Sequence, residues 1–209
     1  MSGVLRNTIT LLCLWPLVAC GHKGLTEASV HKFIDAADEA YVKGRAGAVC
    51  DARSRDFVLT ATEFDLAPNR VVADFAAAQQ VVAEREAAHE LIAGKTSTFK
   101  LRDLCLGAYL ARAQYKPAKL QRGPLQITID PNGQRAVVRT HYTIWEPVEA
   151  PGDSPLGGYV DRVEHQLATK QTETDDESVV ILEDGAPKFS ATTSVSKWFR
   201  IPSQRDSRL

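Results

Sequence analysis

With 25 Lys and Arg against 26 Asp and Glu in 209 residues, the chain carries a formal charge of −1 and no global field for holding nucleic acid. Hydrophobic residues make up 44% and aromatics 7%, ordinary values for a globular protein, and the length suits one domain with a sizeable core. Beyond a short N-terminal run, no stretch is long and apolar enough to span a bilayer as a helix.

The N-terminus reads as a targeting segment. Arg6 and the amino terminus supply positive charge, and Ile9 to Val18 form an uncharged apolar run too short to cross a membrane. Leu17-Val18-Ala19-Cys20 then resembles a bacterial lipobox. On that reading residues 1–19 are a cleaved signal, and Cys20 carries a thioether-linked diacylglycerol. The plainer alternative is an ordinary signal cut near Ala19, with Cys20 incidental. Loss of residues 1–19 removes Arg6 and leaves 24 basic and 26 acidic side chains. Several acyl chains, each methylene gaining about 0.8 kcal/mol on burial, would hold the protein firmly at the membrane. Gly21 after the cysteine permits sorting to the outer membrane, so the expected location is the bacterial envelope, outer membrane, facing the periplasm. Residues 20–25 form a short tether, its last five residues spanning at most about 15–18 Å, which keeps the domain near the lipid.

Thr26 is a good N-cap, and Val30, Phe33, Ile34, Ala37 and Tyr41 recur at helical spacing before Gly44. A short helix is expected from Ala46 to Arg53, burying Val49 and Cys50, and a strand from Asp56 to Thr62. Pro68 introduces an alanine-rich pattern predicting a long helix over 69–93, ended by Gly94, with Val71, Phe75, Ala78 and Val82 in line. Another helical pattern runs from Leu101 to Tyr115, stopped by Lys116-Pro117.

From Gly123 onward the period changes. Leu125 to Ile129, Pro131-Asn132-Gly133 and the alternating Gln134 to Trp145 predict a hairpin, with Ala136, Val138, Tyr142 and Ile144 on one face. Strands follow over 159–172, Val179–Leu182 and Phe189–Ile201, the last two joined by a turn at Glu183 to Pro187. Asp175-Asp176-Glu177 lacks calcium-loop spacing and reads as a solvated turn. Helices first and strands later predict an α+β domain over 26–201, with a mobile tail over 202–209.

Cys13 leaves with the signal and Cys20 is assigned to lipid, so Cys50 and Cys105 remain. In an oxidising compartment they form either one disulfide or two buried thiols. His89-Glu90 lacks a second histidine at zinc-helix spacing, and GxSxG, P-loop and GxGxxG patterns do not occur. No metal or cofactor is expected.

Phe33 to Gly44, Ala48-Val49-Cys50 and Asp56-Phe57-Val58-Leu59 resemble the opening of NTF2-like (SnoaL-like, cystatin-like cone) domains. Val179 to Gly185 and Lys197-Trp198-Phe199-Arg200-Ile201 are similar to that family's last hairpin. The segment Asp65 to Arg122 departs from it, with two helical patterns where the family usually has one helix and one or two strands. The resemblance implies an NTF2-like cone with N-terminal helices packed on a curved antiparallel sheet. Isomerases, dehydratases and hydrolases of this family use Asp, His or Tyr inside the cone, and many members catalyse nothing. Asp38, Tyr41, His141, Tyr142 and His165 are the matching candidates for a cavity.

The long segment Glu146 to Gly158, with three prolines, reads as a presented binding surface or as a loose insertion. Glu146, Val148, Glu149, Asp153 and Leu156 would offer its recognition atoms. The sequence thus leads to a non-enzymatic, lipid-anchored binding domain, most simply for a protein partner such as a toxin met by an immunity-type inhibitor. The alternative is a small-ligand carrier or enzyme using the cone. A cavity holding inward ionisable groups favours the alternative, and a filled cone with an exposed apolar patch favours the protein binder. For the anchor, Cys20→Ala is expected to abolish acyl labelling and leave unprocessed precursor. Normal labelling of that variant would refute lipid attachment.

Overall fold

A computed structural model describes residues 24–112, 119–149 and 167–202. The signal segment, Cys20, Asp153, Leu156, His165 and residues 203–209 lie outside these. The first helix, α1 (Glu27–Val42), starts at a capping box in which Thr26 and Ser29 satisfy each other's backbone N–H groups. It closes with Gly44 N–H donating to the Tyr41 carbonyl and Arg45 N–H to that of Ala40. A short α2 (Ala46–Asp51) leads directly into β1 (Arg53–Asp65).

The segment 66–122 departs most from expectation. The predicted helix over 69–93 shrinks to α3 (Phe75–Ala87). Asn69 takes a left-handed φ of 59°, Val71 pairs with Arg200 as an isolated bridge, and Asp74 caps the helix by accepting from Ala77 N–H. At the other end His89 adopts φ 60°, and Glu90 N–H reaches back to the Arg85 carbonyl. Gly94 is therefore not the helix terminator. It lies where an added Cβ would come within 2.6 Å of the Phe64 ring, so the close approach of that ring is what requires glycine. There follow β2 (Lys95–Lys100), which the sequence pattern did not reveal, α4 (Leu101–Arg112) and β3 (Lys119–Arg122).

The remaining strands are β4 (Gln126–Ile129), β5 (Arg135–Glu149), β6 (Leu167–Glu183) and β7 (Ala186–Pro202). The expected hairpin turn at Pro131-Asn132-Gly133 is present, with Gly133 at φ 67° donating to the Asp130 carbonyl. Leu25 N–H bonds the Gly133 carbonyl at 2.6 Å, fastening the chain entering α1 to this turn. Asp184 and Gly185, both left-handed, make the two-residue turn between β6 and β7.

Two sequence expectations are corrected. Asp175-Asp176-Glu177 is not a turn: β6 runs unbroken from Leu167 to Glu183, paired with β5 and β7 along its length. Glu146, Val148 and Glu149 belong to β5, opposite Lys170, Ala168 and Leu167, and not to a loop. Both segments are polar enough to read as solvent-facing connections, yet the first is paired on both sides and the second pairs with β6.

The sheet has the order β2-β1-β7-β6-β5-β3, with β4 also on β5; β1 and β7 are parallel and the other pairs antiparallel. This is an α+β fold with helices on a curved, unclosed sheet. Its two faces carry separate cores. Val30 and Ile34 of α1 pack with Leu25, Ala136, Val138 and Val180 on the inner face. On the outer face Ala78 and Val81 of α3 meet Leu66, Ala67 and the fully buried Phe199. Helices thus cover both faces.

Cys50 on α2 and Cys105 on α4 form a disulfide, with Cα atoms 5.7 Å apart and 55 residues of sequence separation. On a chain-entropy estimate such a closure restricts the unfolded chain by about 4 kcal/mol. Reduction, or Cys50→Ser with Cys105→Ser, is expected to lower the melting temperature markedly. Unchanged melting under reductant, or two titratable thiols in the denatured, unreduced domain, would exclude the bond.

Candidate functional site

The inner face of the sheet does not fill with side chains along its whole length. Between α1, α2 and strands β5, β6 and β7 lies a cavity of about 320 Å³. Ile34, Phe57, Leu59, Val138 and Phe189 form its apolar walls. The floor is different. Alternation along β6 sends Thr172, Thr174, Asp176 and Ser178 inward, and β7 adds Thr192, Ser194 and Ser196. These hydroxyls pair across strands: Thr174 Oγ1 with Ser196 Oγ at 2.7 Å, and Ser178 Oγ with Thr192 Oγ1 at 2.9 Å.

Asp176 sits inside this row, opposite Thr140 on β5 and Ser194 on β7. Burial pushes its carboxyl up to about 6, with Asp175 and Asp38 adding like charge and the Ser194 hydroxyl acting in the other direction. Its Oδ1 is buried without a protein hydrogen-bond partner, as is Oγ1 of Thr172, a residue only 8% exposed. Leaving such atoms unpaired costs about 1–3 kcal/mol each, so the cavity carries unspent hydrogen-bonding capacity.

Most of the other ionisable groups around the cavity are tied to neighbours, although Arg53 Nε is buried without a partner. Arg122 bridges Asp38 Oδ2 at 2.5 Å and Asp35 Oδ1 at 2.6 Å. Tyr142 Oη donates to Asp38 Oδ1 at 3.2 Å, and Tyr41 Oη to Glu146 Oε1 at 3.1 Å. Burial raises the Asp38 carboxyl despite Arg122, and burial together with these carboxylates makes both tyrosines harder to ionise. Arg53, its charge disfavoured by burial, donates to the Val49 carbonyl and lies over the Phe57 ring. Lys170 lies 4.9 Å from the centroid of Trp198.

Tyr41, Tyr142 and Asp38 therefore line the cavity, as does Glu146, which the sequence placed on a binding loop. His141 does not. It follows Thr140 by one residue and so projects from the opposite face, where its ring nitrogens meet Asp175 Oδ1 and Glu173 Oε2, each at 2.9 Å. Those carboxylates, Asp175 foremost, raise the histidine despite partial burial. Asp176 was missed because acidic residues on both sides of it suggested solvent. The alternation Thr172, Thr174, Asp176, Ser178 was the signal that marked one face. Among the described residues no cluster of His, Cys, Asp and Glu suits a metal ion.

No protein-family model matches the chain, and no curated protein does. Solved structures similar to it include a ketosteroid isomerase-like protein from Erwinia carotovora atroseptica, 9% identical with a TM-score of 0.47, covering 81% of this chain and 94% of that one. An NTF2-like protein from Cytophaga hutchinsonii is 9% identical with a TM-score of 0.46, covering 82% and 99%. A conserved protein from Planctomyces limnophilus is 12% identical with a TM-score of 0.49, covering 84% and 97%. These likenesses concern architecture and assign no activity.

Because the folded state holds the Asp176 proton more tightly than the unfolded chain does, the stability this group contributes is present at low pH and lost as pH rises through about 6. A shift from 3.8 to about 6 corresponds to roughly 3 kcal/mol. Asp176→Asn is therefore expected to gain on the wild type between about pH 4 and pH 7, by up to roughly that amount. Urea unfolding across this range measures it, and a pH-independent difference would show that the carboxyl titrates normally.

Proposed function

We propose that the protein is an envelope domain, tethered through lipid on Cys20, whose work is to hold a small molecule in the cavity beneath α1. One observation carries this reading: a cavity of about 320 Å³ keeps two buried oxygens, Asp176 Oδ1 and Thr172 Oγ1, without protein partners. Apolar walls with a few convergent polar atoms are the usual makeup of a ligand site, and the volume falls at the compact end of such sites. Inward ionisable groups are the feature that favours a small-ligand carrier or enzyme using the cone over a protein binder. The protein-partner reading rested on residues 146–158, whose first members are paired strand and whose remainder lies outside the described residues.

A second reading, proton transfer on the bound molecule, draws on the same Asp176. A carboxyl with a value near 6 is suited to exchange protons close to neutral pH. Binding comes first in either case. A fragment screen read through backbone amide shifts is expected to move Thr140, Thr174, Asp176 and Ser194. Thr140→Phe, with its ring filling the space, is expected to abolish those shifts while leaving the rest of the spectrum intact. Shifts that survive Thr140→Phe, or that fall only outside the cavity, would refute the pocket.

A further inference from the structure

We propose that the cavity takes a compact organic cation, an ammonium group on an apolar body, with its charge seated against Asp176. This rests on the ligand-binding reading of the cavity and names the chemical class of the ligand.

The argument is one of unmatched charge. Asp38 is held by Arg122 and Tyr142, and Glu146 by Tyr41. Arg53 donates through Nη1 to a carbonyl and lies over an aromatic ring, its Nε remaining unpartnered, and Lys170 lies against Trp198. Glu63 is exposed to solvent. Asp38 has a cation and Glu146 a hydroxyl donor, whereas Asp176 Oδ1 is buried with neither among the described residues. Its surroundings are Thr174 and Ser178 on its own strand, Thr140 and Tyr142 on β5, Ser194 on β7 and Asp38 on α1. Those groups offer hydroxyls or further negative charge.

An anionic ligand would meet like charge at this floor. A neutral alcohol could donate one hydrogen bond to Oδ1 but would leave the buried charge uncompensated. An ammonium supplies both the donor and the counter-charge, and charge-assisted hydrogen bonds are about twice as strong as neutral ones. Ile34, Leu59, Val138 and Phe189 would take the hydrocarbon part. The cavity volume admits one ring or a short chain.

The proposal has a definite pH sign. Only the ionised carboxylate pairs with ammonium, so affinity falls as pH drops through about 6, the value to which the Asp176 carboxyl is pushed.

The test titrates the protein with benzylamine, benzyl alcohol and benzoate, and with butylamine and butanol, following cavity amides. At about pH 7.5 each amine is expected to bind about tenfold or more tightly than its alcohol. The advantage should shrink about tenfold near pH 5. Asp176→Asn should erase it, while Asp175→Asn on the outer face should preserve it. Equal binding of amine and alcohol would overturn the cation assignment and leave the pocket standing. Tightest binding of benzoate would also overturn it and point to Arg53. If no probe moves the cavity amides the cation assignment fails, and the Thr140→Phe fragment comparison separately decides whether the pocket exists.

Discussion

Strand β6 constrains the rest of the molecule. It is paired with β5 on one side and β7 on the other from Ala168 to Ile181, so no residue along that stretch is free to choose its face. Alternation sends Val180 inward at one end and Thr172, Thr174, Asp176 and Ser178 inward along the rest. The apolar end, joined by Ala136 and Val138 of β5, is where Val30 and Ile34 of α1 can pack closely. The hydroxyl-bearing stretch offers α1 no apolar surface, and there a cavity remains. The site is thus a consequence of how one strand divides its inner face between valine and threonine, serine and aspartate.

A sheet whose inner face is polar over half its length needs stabilisation from elsewhere. The outer face supplies part of it. Phe199, one residue beyond the inward Trp198, is fully buried under α3 together with Leu66 and Ala67. The Cys50–Cys105 bond joins α2 to α4 and so fixes the wall that carries Val49 and Arg53. Both devices act away from the cavity floor, so the floor keeps polar groups that a better-packed core would not tolerate.

The legibility of these features in the sequence follows the same physics. α1 was readable because its apolar spacing, its Thr26 cap and Gly44 agree with one another. The β4–β5 hairpin was readable from Pro131-Asn132-Gly133 and from the alternation that placed Ala136, Val138, Tyr142 and Ile144 on one face, which also puts His141 on the other. β6 was readable only at its ends, as strands over 159–172 and Val179–Leu182, because neither of its faces is apolar between Thr169 and Ser178 and a period of two in polar residues resembles a solvated connection. The boundaries of α3 were lost for a different reason. Alanines favour helix on both sides of the true ends, while the ends themselves are set by Asp74 and by His89 in a left-handed conformation that propensity does not foretell. The face to which α3 docks depends on Phe64 and Phe199, remote in sequence from it.

Asp176 shows why the unreadable part and the functional part coincide. A carboxyl surrounded by hydroxyls, with like charges nearby and no cation facing it, weakens the fold at neutral pH. Asparagine in its place would keep the shape and most of the hydrogen bonding without that penalty. Local rules of strand design therefore argue against the residue, and an observed violation of them in a cavity is where a ligand's contribution belongs. A bound group that matches the charge would stabilise the folded state through the same linkage that the free carboxyl opposes. The instability of the floor and its capacity to bind are two descriptions of one unmatched oxygen.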